Sequence, residues 1–239
     1  MKSRKKLLKY GMIALIGSAI FSGCGGSSDS GNDNNTALNS GYFIDAPVQG
    51  LEYKTQSGIE GVTDQSGRFE YRAGEKISFK IGKLEIGEAL PDSDGLVTPD
   101  NIQNISQSQR ILLMRLLQAL DSDDNPANGI TIPQEVVTYL SDLPEEKRFS
   151  EISDQRQLME LHSDFAREID EDDDDEIDVS DYEAEMHYVV SKQKWYAEHK
   201  EEDDTQSKEN DMQNDDNNES SDTDEHDKDK TDGGNEADK

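Results

Sequence analysis

The 239-residue chain carries 54 acidic against 24 basic residues, which gives a formal net charge of −30. Such a surface repels nucleic acid and anionic lipid headgroups and attracts cations and basic proteins, so we expect no nucleic-acid partner. Hydrophobic residues make up only 31% of the chain, but the deficit is concentrated at the two ends, and we expect the middle to contain a folded core.

The N-terminus has the layout of a cleaved secretory signal. Basic side chains within the first nine residues precede an apolar stretch from Met12 to Phe21. This stretch is about half as long as the roughly twenty residues that a helix needs to cross a bilayer. We therefore predict a signal peptide over residues 1–23 and no permanent transmembrane helix.

A lipid attachment site is predicted at the end of this signal. The run Phe21-Ser22-Gly23-Cys24 resembles the lipobox of bacterial lipoproteins, in which small residues precede a cysteine that is acylated and becomes the new N-terminus. Phe21 departs from the leucine that is usual at the first position. Cys24 is the sole cysteine, so no intrachain disulfide can form. We expect lipid such as palmitate on Cys24; the alternative is a free thiol at the start of a linker.

The same resemblance implies a location in the bacterial cell envelope. Gly25 follows the cysteine, and no Asp stands there to act as an inner-membrane retention signal. We therefore expect the chain to be anchored in the outer membrane by its lipid. Loss of residues 1–23, which contain five basic and no acidic residues, changes the formal net charge from −30 to −35.

The two ends of the mature chain are predicted to lack a core. Residues 24–40 are almost entirely small or polar, which is typical of a flexible tether. Residues 201–239 contain no Ile, Leu, Val or aromatic residue and have 17 acidic side chains against four Lys. Because they cannot bury enough apolar surface to offset chain entropy, we predict a disordered acidic tail.

Residues 41–97 have the pattern of a β-rich module. Short runs of alternating apolar and polar residues are separated by turn residues, which is typical of antiparallel strands. Six short strands are predicted, at 42–44, 51–53, 59–62, 69–71, 77–81 and 84–86. The predicted fold class is α+β, in which this segment forms a small antiparallel β-sandwich.

The β-rich segment resembles a small module found near the N-termini of bacterial lipoproteins and surface proteins. The resemblance is carried by the runs GYFIDAPVQGLEY and GVTDQSGRFEYRAGEKISFKIG, and the TD-x-x-G-x-F-x-Y part is also similar to transthyretin-like, carboxypeptidase-regulatory-like β-sandwiches. Further matching motifs are Thr98-Pro99, the run LLQALD that ends at Asp121, and the run NPANGI that begins at Asn125. The resemblance covers about residues 41 to 133 and implies architecture only, because the family brings no established activity.

From Thr98 onward the hydrophobic period becomes helical. Thr98 and Pro99 form an N-cap and first-turn pair, and apolar residues keep a helical spacing to Leu120, with a break expected near Ser106. We predict a second, helical domain over residues 98–200. Its further helices are predicted at 133–141, 152–169 and 180–199.

An acidic run between two predicted helices has the ligand spacing of a calcium-binding loop. Calcium takes six to eight oxygen ligands, and a twelve-residue loop supplies them from positions 1, 3, 5, 7, 9 and 12. With Asp170 at position 1, Ile177 falls at the hydrophobic position 8, and the frame resembles an EF-hand flanked by Ile169 and Tyr182. The predicted ligands are Asp170, Asp172, Asp174, the carbonyl group of Glu176, Asp178 and Asp181.

Two residues of this loop depart from the EF-hand pattern. Asp175 stands where a glycine with positive φ is usual, a conformation that Asp tolerates better than most residues. Asp181 replaces the bidentate Glu of position 12, and its shorter side chain favours weaker binding or Mg²⁺. We expect Ca²⁺ as the cofactor, with Mg²⁺ as the alternative. The other interpretation is a solvated acidic linker whose many Asp residues fill ligand positions by chance.

A second candidate metal loop follows the first predicted helix. Asp121, Asp123 and Asn125 have the spacing of positions 1, 3 and 5, but Pro126-Ala127-Asn128 displaces the glycine, so the twelve-residue frame fails. Runs of Asp, Asn, Gly and Pro also form tight turns that hydrogen-bond to their own backbone. The sequence leaves both interpretations open.

No local catalytic signature is present in the sequence. It contains no GxSxG, HExxH or CxxC motif and no phosphate-binding glycine loop, and a lipidated cysteine cannot act as a nucleophile. We predict a lipid-anchored, non-catalytic binding or structural protein of the envelope that binds a divalent cation and contacts an envelope or surface protein. The alternative is a calcium-independent surface adhesion or assembly module whose acidic runs provide solubility and bind basic partners.

Overall fold

A computed structural model describes residues 37–214 of the chain, and of residues 200–214 only the backbone. The predicted signal peptide, the lipidation residue Cys24 and the tether up to residue 36 lie outside the described residues, as does the acidic tail after Asn214. Within the described range the fold is α+β, as predicted, with several β-sheets and five α-helices.

The strands between residues 37 and 214 form three sheets. Strands β5-β1-β8 form a three-stranded sheet, β10-β7-β6-β3-β4 a five-stranded sheet and β2-β9 a two-stranded sheet. Inward and outward side chains alternate most cleanly in β6, where Ile77, Phe79 and Ile81 are buried. The strands are β1 (Asn39–Phe43), β2 (Val48–Gln49), β3 (Glu52–Thr55), β4 (Glu60–Val62), β5 (Arg68–Tyr71), β6 (Ile77–Ile81), β7 (Leu84–Ala89), β8 (Leu96–Val97), β9 (Ile130–Thr131) and β10 (Lys147–Arg148).

Pairing within these sheets is mixed. The pairs β1·β5, β3·β4, β3·β6 and β6·β7, which join the six predicted strands, are antiparallel as expected. The pairs β1·β8, β7·β10 and β2·β9 are parallel, and each of them contains a strand that the sequence analysis did not predict. Strands β8, β9 and β10 have only two residues each, which is too short for a period of two to be recognised in the sequence.

The helices correspond closely to the helical periodicity of the sequence. The expected break near Ser106 is confirmed: the Ser106 hydroxyl accepts the backbone N–H of Gln109, and the Gln109 side chain accepts the N–H of Ser106 at 2.8 Å. This reciprocal capping box starts the helix there. The helices are α1 (Gln107–Ala119), α2 (Gln134–Ser141), α3 (Gln155–Met159), α4 (Ser163–Ile169) and α5 (Asp181–Asn214), and 3₁₀ turns lie at Pro99–Asn101, Pro126–Asn128 and Phe149–Glu151.

The helix predicted at 152–169 is two short helices in the structure. Asp154 caps α3 by accepting the N–H of Gln157 at 3.1 Å. The His162 imidazole caps α4 by accepting the N–H of Asp164 at 3.2 Å. Each cap satisfies a backbone N–H that has no partner in the first turn of its helix, so the chain turns between α3 and α4.

Helix α5 extends beyond the end predicted for it. The prediction placed its end at residue 199 and a disordered tail from residue 201, but the backbone remains helical to Asn214. Glu, Lys and Gln are good helix formers and can prolong a helix that has already been nucleated. The prediction of disorder for residues 215–239 lies outside the described residues. Between residues 37 and 214 there is no helix with the length and apolar character needed to cross a membrane.

The strands and the first part of the helical region share one hydrophobic core. Phe79 of the five-stranded sheet packs edge-on against Phe43 and Phe69 of the three-stranded sheet, with ring centroids 5.0 and 5.3 Å apart. Leu113 and Leu117 of α1 are fully buried in the same cluster. Within the described range, residues 37–195 form one compact unit, and a second unit begins at Tyr196. The described strands and helices α1–α4 lie within the first unit, and the predicted boundary at residue 98 stays a prediction.

Candidate cation-binding loop

The acidic run lies between two helices, where the twelve-residue frame requires it. Helix α4 ends at Ile169, residues 170–180 are irregular, and α5 begins at Asp181. Ile177, at the hydrophobic position 8 of the frame, is buried with 3% of its surface exposed. The loop is therefore attached to the core at both ends and at one point in its middle.

The first predicted ligand organises the loop backbone. One carboxylate oxygen of Asp170 accepts the N–H of Asp174 at 3.2 Å, and the other accepts the N–H of Asp175 at 3.0 Å. Asp175 has a φ of +64°, the positive φ that position 6 of the frame demands. Asp173 is also in this region, with a φ of +59°. Asp and Asn occupy this conformation several times more often than other non-glycine residues.

Three of the predicted ligands lie close together. Asp170, Asp172 and Asp174 each place a carboxylate oxygen within 4.8 Å of the others. Because Ca²⁺–oxygen distances are about 2.3–2.6 Å, two ligands on opposite sides of one ion are separated by up to about 5 Å. The three oxygens therefore fit around a single cation. They are the one such acidic or histidine cluster found between residues 37 and 199.

The electrostatics of this cluster favour a proton or a cation. Desolvation within the loop, and then repulsion from the Asp172 carboxylate, raises the pKa of Asp174 above its ordinary value. A divalent cation between the carboxylates would replace this repulsion by attraction and would favour the ionised form.

The remaining predicted ligands make other contacts in the structure. Asp178 accepts the N–H of Glu171 at 2.8 Å, and its own N–H donates to the carbonyl of Ile169 at 2.9 Å, which joins the two ends of the loop. The Glu176 N–H donates to the Asp174 carboxylate at 3.1 Å, and ligation by the Glu176 carbonyl stays a prediction. Asp181, which was predicted as the ligand at position 12, forms an ion pair with a residue of α1 and does not join the three-carboxylate cluster.

That α1 residue is Arg115, whose guanidinium group binds the end of the loop and holds it against α1. It donates to the carbonyl groups of Val179 at 2.6 Å and Ile177 at 3.3 Å and to the Gln155 side chain at 2.8 Å. Its distance to the Asp181 carboxylate is 3.1 Å, and 15% of the Arg115 side chain is exposed. Arg115 was missed by the sequence analysis, because no local pattern connects it to a loop more than sixty residues away.

A second polar side chain of α1 binds helix α5 just after the loop. The Gln118 amide of α1 donates to both oxygens of Asp45, at 3.3 and 3.2 Å, and to the carbonyl of Ala184 at 3.1 Å. Asp45 is completely buried; burial raises the pKa of its carboxyl well above the ordinary value, and the bond from Gln118 opposes that shift. The one hint in the sequence was an acidic residue within the apolar run IDAPV.

In the second candidate loop, backbone groups occupy the carboxylate oxygens. The two oxygens of Asp121 accept the N–H groups of Asn125 at 2.8 Å and Thr131 at 2.9 Å. Asp123 accepts the N–H of Asn125 at 3.1 Å and the side-chain amide of Asn128 at 3.0 Å. This geometry favours a tight turn, while metal binding by Asp121, Asp123 and Asn125 stays a prediction.

Comparison with known proteins adds no relative: no protein-family model, no curated protein and no solved structure matches this chain. The fold and the candidate site define the chain as an α+β protein with an acidic helix–loop–helix.

The buried turn at Asp121 leads to a pH-dependent prediction. Burial raises the pKa of Asp121 to about 6, and the nearby Asp123 carboxylate acts in the same direction. Because the folded chain then binds this proton more tightly than the unfolded chain, the stabilisation is complete below pH ~4 and is lost as the pH rises through about 6. The Asp123→Asn substitution removes the like charge and should reduce that loss by about 1 kcal/mol.

Urea unfolding of both proteins between pH 4 and 7 measures this difference. The free energy of unfolding of Asp123→Asn should rise relative to wild type as the pH increases. A difference that is the same at every pH would show that Asp123 has no effect on the ionisation of Asp121.

Proposed function

We propose that this protein is a lipid-anchored, non-catalytic component of the bacterial envelope that binds a divalent cation at residues 170–181. The cation is Ca²⁺, with Mg²⁺ as the alternative, and the lipid is carried by Cys24. The ion orders the loop between α4 and α5, and the β-rich part contacts another protein of the envelope or of a surface.

The single observation that carries the cation proposal is the three-carboxylate cluster of Asp170, Asp172 and Asp174 within 4.8 Å. The carboxylates of Asp170 and Asp174 accept backbone N–H groups of the loop, and this geometry brings their oxygens close to that of Asp172. Like-charged side chains in a solvated linker would instead move apart to reduce their repulsion. The buried Ile177 and the positive φ of Asp175 support the same interpretation.

The position of Asp181 defines how the site would be completed. Three carboxylates and nearby carbonyl groups or water could hold a cation weakly, but a six- to eight-coordinate Ca²⁺ site needs further oxygen ligands. Asp181 would have to exchange its ion pair with Arg115 for the cation. We therefore expect a dissociation constant of about 10⁻⁴–10⁻³ M, in the range of extracellular calcium modules.

We further propose that the three- and five-stranded sheets form a small sandwich of the transthyretin-like type and that residues 163–195 form an EF-hand-like unit. The edge-on contacts of Phe79 with Phe43 and Phe69 support face-to-face packing of the two sheets. The short parallel pairs at the sheet edges differ from the antiparallel pattern expected for such a sandwich.

The second candidate function is a calcium-independent adhesion or assembly module. It is favoured by the hydrogen bonds that already satisfy Asp170 and Asp178 and by the ion pair of Asp181. In this case the acidic runs serve solubility and binding of basic partners, and the loop needs no ion. Cation titration separates the two functions.

Calorimetric titration of Ca²⁺ and Mg²⁺ tests the cation site. The protein is the chain from residue 24 with Cys24→Ser, which contains every described residue. We expect saturable Ca²⁺ binding that is lost in the Asp170→Ala, Asp172→Ala double variant, because two of the three clustered oxygens disappear. The matched control is Asp142→Ala with Glu146→Ala, which removes the same charge from exposed positions outside the loop.

The control variant should bind Ca²⁺ as the wild type does. If no binding heat is detected at millimolar Ca²⁺, or if both double variants bind Ca²⁺ equally weakly, residues 170–181 are a charged linker and not a cation site. The adhesion or assembly function would then be the better proposal.

The lipid anchor is tested by metabolic labelling with palmitate in a bacterial host. The full chain should incorporate label and fractionate with membranes, whereas Cys24→Ala should lose both properties because the acylated thiol is gone. Ser27→Ala, a neighbouring change that keeps the cysteine, serves as the control and should be labelled normally. Unchanged labelling of Cys24→Ala would overturn the proposed anchor.

A further inference from the structure

Helix α5 exposes an apolar stripe on the side that faces away from the core. Tyr182, Met186, Val189 and Val190 have 72, 46, 44 and 58% of their surfaces exposed. Their spacing of i, i+4, i+7 and i+8 places them on one face of the helix. We call these four residues the outer stripe.

The opposite face of the same helix is the one that packs on the fold. Ala184 and Tyr188 are buried in the core, and the ring of Trp195 lies 5.8 Å from that of Tyr42. A helix with one buried face normally has polar residues on the other. Exposed valines also lower helix propensity without any gain from burial. The outer stripe is therefore an apolar face that no described part of the chain covers.

Charges beside the stripe indicate which partner fits. Asp181, Glu183 and Glu185 lie at its N-terminal end, and Lys192 and Lys194 lie at its C-terminal end. No Lys or Arg occurs from 181 to 191, and no Asp or Glu from 186 to 195. The outer stripe is thus flanked by acidic residues at its N-terminal end and by basic residues at its C-terminal end.

The acidic side chains of one copy lie opposite the lysines of a second copy only when the two α5 helices run in opposite directions. If Glu183 lies level with Lys194 of another copy, Glu185 lies level with Lys192, because both pairs are centred between Tyr188 and Val189. A parallel arrangement would bring acidic side chains beside acidic ones. We propose that the outer stripe is a two-fold symmetric interface with a second copy of this chain, in which the α5 helices pack antiparallel.

Antiparallel packing around a two-fold axis uses the same surface on both chains, so the assembly closes at a dimer. Glu183 also accepts the Ser180 hydroxyl at 2.8 Å, and the Lys192 ammonium lies 3.6 Å from Asp100. The Lys192 ammonium also donates to the Tyr188 hydroxyl at 3.0 Å, so Lys192 exchanges its contacts with Asp100 and Tyr188 for Glu185 of the second copy when the dimer forms. The dimer does not depend on cation binding at the preceding loop.

The small area of the outer stripe and the net negative charge of each copy predict a weak dimer. The stripe is only about 12 Å long at 1.5 Å per residue, which is smaller than the interfaces of stable complexes, about 800 Å² per partner. The overall negative charge of each copy opposes association and is screened by salt. We therefore expect a dissociation constant of about 10⁻⁵–10⁻⁴ M that falls as the salt concentration rises.

Sedimentation equilibrium of the chain from residue 24 with Cys24→Ser tests the proposal. The average mass should rise from that of a monomer towards that of a dimer with concentration. Val190→Glu should weaken the dimer by about tenfold or more, because it places a charge in the apolar centre. Val62→Glu is the matched control, since Val62 is also 58% exposed but lies on strand β4, and it should leave the dimer unchanged.

Charge reversal tests the direction of packing. In the antiparallel dimer Glu185→Lys brings Lys beside Lys192 at two symmetric places and should weaken association by about fivefold. In a parallel dimer the same substitution places a lysine among the acidic side chains Asp181 and Glu183 of both copies and should strengthen association. The thermal unfolding midpoint of each variant must match the wild type, which shows that the monomer is intact.

Three results would overturn the proposal. A wild-type chain that stays monomeric at several hundred micromolar in high salt has no such interface. Equal weakening by Val190→Glu and Val62→Glu would move the contact away from the outer stripe. A dimer that is unaffected by Glu185→Lys would not pack antiparallel in this register.

Discussion

The guanidinium group of Arg115 connects the core of this protein to its acidic loop. It donates to the carbonyls of Ile177 and Val179 and pairs with Asp181, the first residue of α5. Helix α1, which carries Arg115, is buried against the sheets through its leucine side chains. The end of the loop and the start of α5 therefore have a defined position relative to the core, although the loop itself is rich in like charges.

This attachment also has a cost for the proposed cation site. Arg115 already binds the Asp181 carboxylate at the end of the loop and therefore competes with a cation for those oxygens. Asp170, Asp172 and Asp174 form their cluster at the start of the loop, before the segment that Arg115 binds. The three clustered carboxylates at the start of the loop are thus already close enough for one cation, whereas Asp181 at its end is held in a salt bridge with Arg115. Both features agree with weak binding.

Much of the fold follows from local patterns in the sequence. Alternation identified the longer strands, such as β6 with its buried Ile77, Phe79 and Ile81, and the Ser106 capping box is visible as a serine three residues before a glutamine. The two-residue parallel strands and the common core were not predictable in this way. They depend on contacts between distant segments, such as the pairing of Val48 with Ile130.

The candidate site likewise has features that local sequence patterns predict and one that they do not. The spacing of Asp170, Asp172 and Asp174, the apolar Ile177 and the positive φ at Asp175 could all be inferred from one twelve-residue run. The diversion of Asp181 to Arg115 could not, because α1 meets the loop only in the folded chain. A ligand pattern predicts which groups are within reach of an ion, whereas tertiary contacts determine which of them are available.

Cation binding at the loop is tested most directly by a ¹H–¹⁵N NMR spectrum of the chain from residue 24 with Cys24→Ser, recorded with and without Ca²⁺ at about ten times the expected dissociation constant. We predict saturable shifts for the backbone amides of residues 170–181, with the Asp175 amide among them, and for the side chain of Arg115 as Asp181 leaves it. The amides of β6 should remain unchanged. Small, unsaturable shifts spread over all acidic surfaces would contradict a defined site in this loop.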